Sequence, residues 1–384
     1  MNRVLILVNI TGLIIGISYG LHGPILPVFA KNIIGATYSE LGLIGLTNFI
    51  PYMFIPLFVG ILLDKINNGY LLTVGAAINS ASIYLLSIAQ SVPEIMGFRI
   101  MTGVAHAFFW PPCEAIISNE SSEENRVKHI SWFTMFFVIG FMVGPLLGSV
   151  LLEGLDVTYR ILFQVAAFIL AAAIISSLLA SRKKIKKHHE RFSFSSIKEM
   201  KRFPEVIILL IFCTSSFGII LTIYPAFLND NGMSATDILL LYFVFGISRV
   251  ASLALTGKFA RRTSQTLIAG TIAVSAGLAI SVVADSIITF GIALVLMGFG
   301  FSIFFPLTLE IILSKTRKGI SGKIIGAYET IFGMGWAIGP TIGGPITQSF
   351  GNETPYVVFC IIGIGVALFA ITVRKKLEPQ RISN

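Results

Sequence analysis

A chain of 384 residues that is 55% hydrophobic and 12% charged, with a mean hydropathy of +0.85, is excluded from the water-soluble globular class. Its composition is that of a polytopic helical membrane protein. A net charge of +9 raises nucleic acid as a partner, but the basic residues sit in short loops and the aromatics in apolar runs, so none is expected.

The N-terminus, MNRVLILVNITGLIIGISYG, places Arg3 before an apolar run as a signal peptide does, yet the run continues to Ala30 without a small-residue cleavage site. It is read as a retained first span. Gly12, Gly16 and Gly20 form a close-packing ridge along it, and His22, just before Gly23-Pro24-Ile-Leu-Pro27, is read as a packing or outer-gate residue before a proton relay. Apolar segments of spanning length lie near 4–30, 40–63, 69–90, 94–118, 130–152 and 158–181, then near 204–228, 236–257, 265–284, 288–314, 321–349 and 354–373. The fold class expected is therefore all-α, with twelve transmembrane helices in two six-helix sets.

Loop charge sets the orientation. With a cytoplasmic N-terminus, the inside collects Arg3, Lys65, Arg126, Lys128, the stretch Arg182–Arg202, Lys258, Arg261, Arg262, Lys315–Lys323 and Arg374–Arg381. The outside keeps Lys31 and Arg160. Both termini are expected in the cytoplasm of a cell (plasma) membrane protein.

The fourth segment, FRIMTGVAHAFFWPPCEAIIS, is apolar enough to span yet carries Arg99, His106 and Glu114 within one broad helical face. All three are expected to look into one interior space. Pro111 and Pro112 should bend the helix just before Glu114. Arg99 lies only about 9 Å from the outer boundary, so it can snorkel to the surface. In the fifth segment, Gly140, Gly144 and Gly148 repeat every four residues around Pro145, which suits a packing ridge and a hinge.

RKKIKKHHERFSFSSIKEMKR divides the chain, giving an N-terminal bundle at 1–181, a cytoplasmic linker at 182–203 and a C-terminal bundle with a short tail at 204–384. Phe192, Phe194, Ile197 and Met200 make the linker weakly amphipathic, fitting either a helix on headgroups or a solvated connection; His188 and His189 are not read as metal ligands. The two sets repeat: FFWPPCEAIIS returns as FFPLTLEIILS, which aligns Glu114 with Glu310 at an offset of 196 residues. Gly339-Pro340 repeats Gly144-Pro145, and Gly257 repeats Gly60. Such parallel halves are a transporter architecture with its site near the midplane between them.

Further intramembrane ionisable residues are Arg249, Glu310 and Glu329. Carboxylates withdrawn from water take up protons more readily, which suits a proton carrier. Glu114 and Glu310, roughly 6 Å from the inner boundary, could equally serve the cytoplasmic gate, and Glu329 could neutralise Lys65 or Arg126. Arg249, nearer mid-membrane, is the best candidate to pair with a buried carboxylate or to hold an anionic substrate. Cys113, Cys213 and Cys360 lack ligand spacing and are read as packing residues, with no metal expected. GMGWAIG fails the spacing of a phosphate-binding loop, which argues against ATP drive.

The loop GILLDKINNGY resembles the signature of the major facilitator superfamily, with Gly60, Asp64 and Lys65 as its gating glycine, acid and base, although Asn67, Asn68 and Gly69 stand where the family shows glycine and two basic residues. In the second half, Arg261 occupies the acid's position. Arg99 with Gly103 is similar to the family's helix 4 signature, which implies a role for Arg99 in substrate or proton coupling as the alternative to snorkelling, and Gly140 to Gly148 resembles the glycine-proline motif of its antiporters. The resemblance implies alternating access around a cavity lined mainly by helices 1, 4, 7 and 10, with no cofactor and a proton gradient as driving force. It favours proton-coupled efflux of a drug or metabolite by a monomer whose partners are its small-molecule substrate, protons and the bilayer. The alternative is uptake or exchange of an organic anion bound by Arg99 and Arg249. No catalytic residues are expected and the chain is not read as an enzyme.

Overall fold

The computed structural model describes residues 3–63, 65–181, 200–316 and 321–380. The described residues are helical throughout their long elements: α1 Arg3–His22, α2 Ile25–Asn32, α3 Tyr38–Leu63, α4 Asn68–Ile88, α5 Val92–Ala107, α6 Trp110–Glu120, α7 Glu123–Ser149 and α8 Tyr159–Ala180. After the linker come α9 Pro204–Thr222, α10 Tyr224–Asp230, α11 Ala235–Phe259, α12 Thr263–Val283, α13 Ile287–Ser314, α14 Ser321–Phe350 and α15 Thr354–Thr372. The pairs α1–α2, α5–α6 and α9–α10 are single spans broken in two, so the helices make the twelve spans read from hydropathy. Eight stretches are long and apolar enough to cross a membrane by length and composition alone, and the one at 235–283 holds two consecutive helices.

Proline places each break. A proline removes its own N–H and its ring collides with the carbonyl four residues earlier. Pro112 acts in this way on Phe108, so the fourth span breaks at Phe108–Phe109, ahead of the bend expected just before Glu114. Gly23-Pro24 separates α1 from α2, and Pro225 follows the break at Ile223. Pro145 behaves differently. It stays inside α7, which runs on into a π-helical turn at Val150–Gly154.

Glycine faces set the tightest helix pairs. A Cβ at Gly16 would stand 2.2 Å from the Phe137 carbonyl, and one at Gly140 or Gly144 would stand 2.2 or 2.3 Å from the carbonyls of Leu13 and Ile17. The two ridges read separately in the sequence are thus the two sides of one α1–α7 contact. In the second half, a Cβ at Gly339 would stand 2.0 Å from the Ser215 carbonyl and one at Gly218 2.5 Å from that of Trp336, so glycine lets α9 and α14 pack backbone to backbone. Two seams join the earlier helices to the later ones: α3 against α14, through Gly42, Gly45, Pro340 and Gly344, and α7 against α11, through Met142 and Gly246.

The loop between α3 and α4 shows why its sequence departs from the family signature. Asn67 caps α4 by accepting from Gly69 N at 2.9 Å, while its Nδ2 donates to Ser181 O at 2.8 Å. Gly69 sits so close to Ser181 that a Cβ there would stand 2.4 Å from its Cα. Asp64, and the linker as far as residue 199, lie outside the described residues; at the linker's end, Met200 and Phe203 are buried.

Candidate functional site

A central cavity opens between the two sets of helices. Its walls are Tyr19, His22 and Pro27 of the first span, Ile44, Asn48 and Phe49 of α3, Arg99 and His106 of α5, Phe137 and Phe141 of α7, Phe217 and Thr222 of α9, Arg249 of α11 and Trp336 of α14. Span 10, α13, expected among the lining helices, contributes no wall residue. Its Phe301 instead stacks behind Phe217, with ring centroids 3.7 Å apart. Aromatic side chains fill the space where span 10 would line it.

Arg99 is buried, 8% exposed, and does not snorkel. Its turn of helix is pressed against α3: a Cβ at Gly103 would lie 2.1 Å from the Asn48 carbonyl, and Thr102 Oγ1 donates to Asn48 Oδ1 at 2.6 Å. That contact holds Arg99 at the cavity wall. His106, about two turns later, stacks on Tyr19 with centroids 4.6 Å apart, and its Nδ1 lies 3.3 Å from the Tyr19 hydroxyl. Asn79 Nδ2 in turn donates to that hydroxyl at 3.1 Å. His22 also reaches the cavity, its Nδ1 2.6 Å from Ser18 O, so it belongs to the central site and not to an outer gate.

Arg249 enters from the other half, 9% exposed. Its guanidinium lies 5.1–5.6 Å from the ring centroids of Phe141, Phe217, Phe245 and Phe301, a cage of four cation–π contacts. Its Nε donates to Ser302 Oγ at 3.3 Å, and no carboxylate pairs with it among the described residues.

Glu114 does not share this cavity with Arg99 and His106. It is half-buried toward the end of the bundle that carries the basic loops, here called the basic side, where it interacts electrostatically with Glu329 of α14. Tyr52 stands between them and the cavity: its hydroxyl donates to Glu329 Oε2 at 3.1 Å, and its ring stacks on Trp336 at 6.2 Å and meets His106 edge-on at 6.0 Å. Glu310, which the repeat aligns with Glu114, is exposed and lines no part of the cavity. The carboxylate across from Glu114 is Glu329, because α14, not α13, forms the seam with the first half. Glu329 therefore bonds Tyr52 and not Lys65, which is exposed in the loop after α3. Gly60 lies within α3 near its end.

The opposite, far side is clasped. Asp230, at the end of α10, accepts from Lys31 Nζ, from the Tyr38 hydroxyl at 2.8 Å and from Asn352 Nδ2 at 3.0 Å. Asn32 Nδ2 donates to Asn229 Oδ1 at 2.7 Å, and Tyr38 N donates to Gln348 Oε1 at 3.1 Å. Arg160, also on this side, donates to Ser87 O at 2.7 Å and covers the Phe29 ring. Gly148 and Gly343 pack nearby, against Leu239 and Ile223.

Sequence reasoning missed Tyr19, Tyr52, Asn48 and Trp336. Aromatics inside spans look like packing residues by periodicity. One signal was present: Trp336 is a large polar-tipped ring set in a run of small residues, Gly333, Gly335, Ala337 and Gly339. Among the described residues no group of three or more His, Cys, Asp and Glu could hold a metal ion.

The chain is similar to known proteins along its length. The chain is 25% identical over 406 residues to Quinolone resistance protein NorA of Staphylococcus aureus (strain MRSA252), covering 100% of this chain and 99% of that one. It is 25% identical over 314 residues to Multidrug resistance protein 1 of Bacillus subtilis (strain 168), covering 79% and 80%. Its fold matches the crystal structure of nucleoside transporter NupG with a TM-score of 0.78, 13% identity and coverage of 97% and 99%. It also matches a bacterial homolog of the human lysosomal transporter Spinster, in an inward-facing and unoccupied conformation, with a TM-score of 0.79, 13% identity and coverage of 99% and 98%. The sequence model of the Major Facilitator Superfamily matches residues 8–340 and 264–384, and the chain belongs to that superfamily of multi-pass membrane transporters.

Proposed function

We propose that this transporter exports a drug-like or metabolite small molecule in exchange for protons, with its basic side and both termini in the cytoplasm of a plasma membrane. The relatives in Staphylococcus aureus and Bacillus subtilis, named for quinolone and multidrug resistance, support export. The far-side clasp at Asp230 then closes the outside in the conformation described.

The observation that carries proton coupling is the pair Glu114 and Glu329. They come from opposite halves, at the level where the seam must open and close, and Tyr52 bonds one of them while screening the cavity. Two facing carboxylates can share a proton, and that proton removes a charge–charge repulsion across the seam. Proton binding and closure of the cytoplasmic side are thereby linked.

The test is dye efflux from cells loaded separately with ethidium and carboxyfluorescein. Efflux of at least one dye should stop on adding a protonophore, and should be lost in Glu114→Gln and Glu329→Gln but kept in Glu310→Gln. Efflux that survives the protonophore, or both of the first two variants, overturns proton coupling through this pair.

A further inference from the structure

The cavity holds Arg99, Arg249, His22 and His106, and none of its lining residues is acidic. Two guanidinium groups thus enter one low-dielectric space from opposite halves without a counter-ion among the described residues. Burying charge in that way is costly unless something pairs with it. The cage around Arg249 fixes the guanidinium but does not satisfy it. Ring faces attract its positive charge, whereas its N–H groups need lone pairs, and the one hydrogen bond it makes among the described residues leaves from Nε to Ser302.

Two further donors are orphaned at the same place. Arg99 Nε and Trp336 Nε1 are buried with no hydrogen-bond partner among the described residues, and both side chains line the cavity. Buried donors in native proteins are nearly always satisfied, so two orphaned donors on α5 and α14, in side chains that line one space with the Arg249 guanidinium of α11, call for a ligand rich in acceptors. The apolar part of the wall specifies the rest of that ligand. Trp336 stacks with Phe217 at 5.6 Å between centroids, and Phe49 lies 5.2 Å from Trp336, which offers flat rings to a flat ring.

We infer that the central cavity binds a flat aromatic monoanion, its oxyanion group held between Arg99 and Arg249 and its ring laid against Trp336 and Phe217. This rests on the export reading only for direction; the site itself does not depend on proton coupling. The anion has a mechanical use as well. Occupying the space between arginines from opposite halves, it screens their repulsion and favours approach of the two walls.

The test is equilibrium binding to the detergent-purified protein, followed by thermal stabilisation with three probes of one shape: 2-naphthoate, 2-naphthamide and 2-naphthylmethylammonium. Naphthoate should bind at least about 10-fold more tightly than the amide, and the ammonium should give no stabilisation. Arg249→Gln and Arg99→Gln should each weaken naphthoate about 10-fold or more, and Arg249→Lys, which keeps the charge inside the cage, should weaken it less than Arg249→Gln. Trp336→Phe keeps a ring, removes the orphan N–H, and should cost naphthoate several-fold. Equal or tighter binding of the ammonium probe overturns the inference, as does naphthoate binding unchanged in both arginine-to-glutamine variants. If naphthoate binds as stated while efflux ignores a protonophore, proton coupling falls and the anion site stands.

Discussion

Asp230→Asn isolates the far-side clasp, because it keeps the shape of the side chain and removes its charge. Three donors converge on this carboxylate, two of them, Lys31 and Tyr38, from the first half. The ion pair is partly open to solvent, with Lys31 and Asp230 side chains 25% and 23% exposed, so it contributes only about 0.2–1 kcal/mol. The Tyr38 bond to a charged acceptor adds about 1.5–3 kcal/mol, of which a neutral amide oxygen retains roughly half. The closed outside should therefore lose about 1–2 kcal/mol, a shift of about 5- to 30-fold in the ratio of outward-open to inward-open molecules. An outward-open fraction of about 1% would rise to roughly 5–25%. The assay is a distance distribution between spin labels at Gln90→Cys and Asp285→Cys, exposed residues at the ends of α4 and α12, with Cys360 replaced by serine. A longer-distance population should grow by that factor. A distribution identical to that of the parent would refute the argument that these bonds hold the outside shut.

Other outcomes follow from packing and capping. Gly16→Ala puts a methyl group 2.2 Å from the Phe137 carbonyl, a backbone atom that cannot swing away, and should lower stability by about 1–3 kcal/mol, read as a lower melting temperature in detergent. Gly97→Ala, where a Cβ meets nothing within 4 Å, should instead leave the melting temperature equal or raise it, since alanine is favoured over glycine in a helix by about 0.5–1 kcal/mol. Asn67→Ala should lose about 1 kcal/mol through the missing cap; Asn67→Asp should recover the cap to Gly69 but not the bond to Ser181, and so melt between the two.

Hydropathy was enough for the twelve spans, and spacing alone located the ridges at Gly12, Gly16 and Gly20 and at Gly140, Gly144 and Gly148. That these two ridges face each other was not legible, because periodicity reports a face and not what it meets. Arg99, His106 and Arg249 were legible as candidates because charge in an apolar run is rare. The repeat aligns Glu114 with Glu310, but equivalence under internal symmetry is not proximity across the symmetry axis, and the carboxylate whose charge acts on Glu114 is Glu329. His22, read as a packing or outer-gate residue, lines the cavity, because the break at Gly23-Pro24 ends α1 there. Tyr52 and Trp336 carry no charge, so nothing in composition separates them from core aromatics.

The small residues of α14 lie on two faces at once. Gly339 fits against α9 and Gly344 against α3, so one helix packs through glycine against its own half on one side and against the other half on the other. A surface of interdigitated leucines would have to climb over every ridge to move, losing dispersion contacts at each step. Glycine next to backbone offers no such teeth. That end of the seam is a plain bearing, whereas Phe49 and Tyr52 on Trp336 are its teeth, the contacts that must part before the two halves can move.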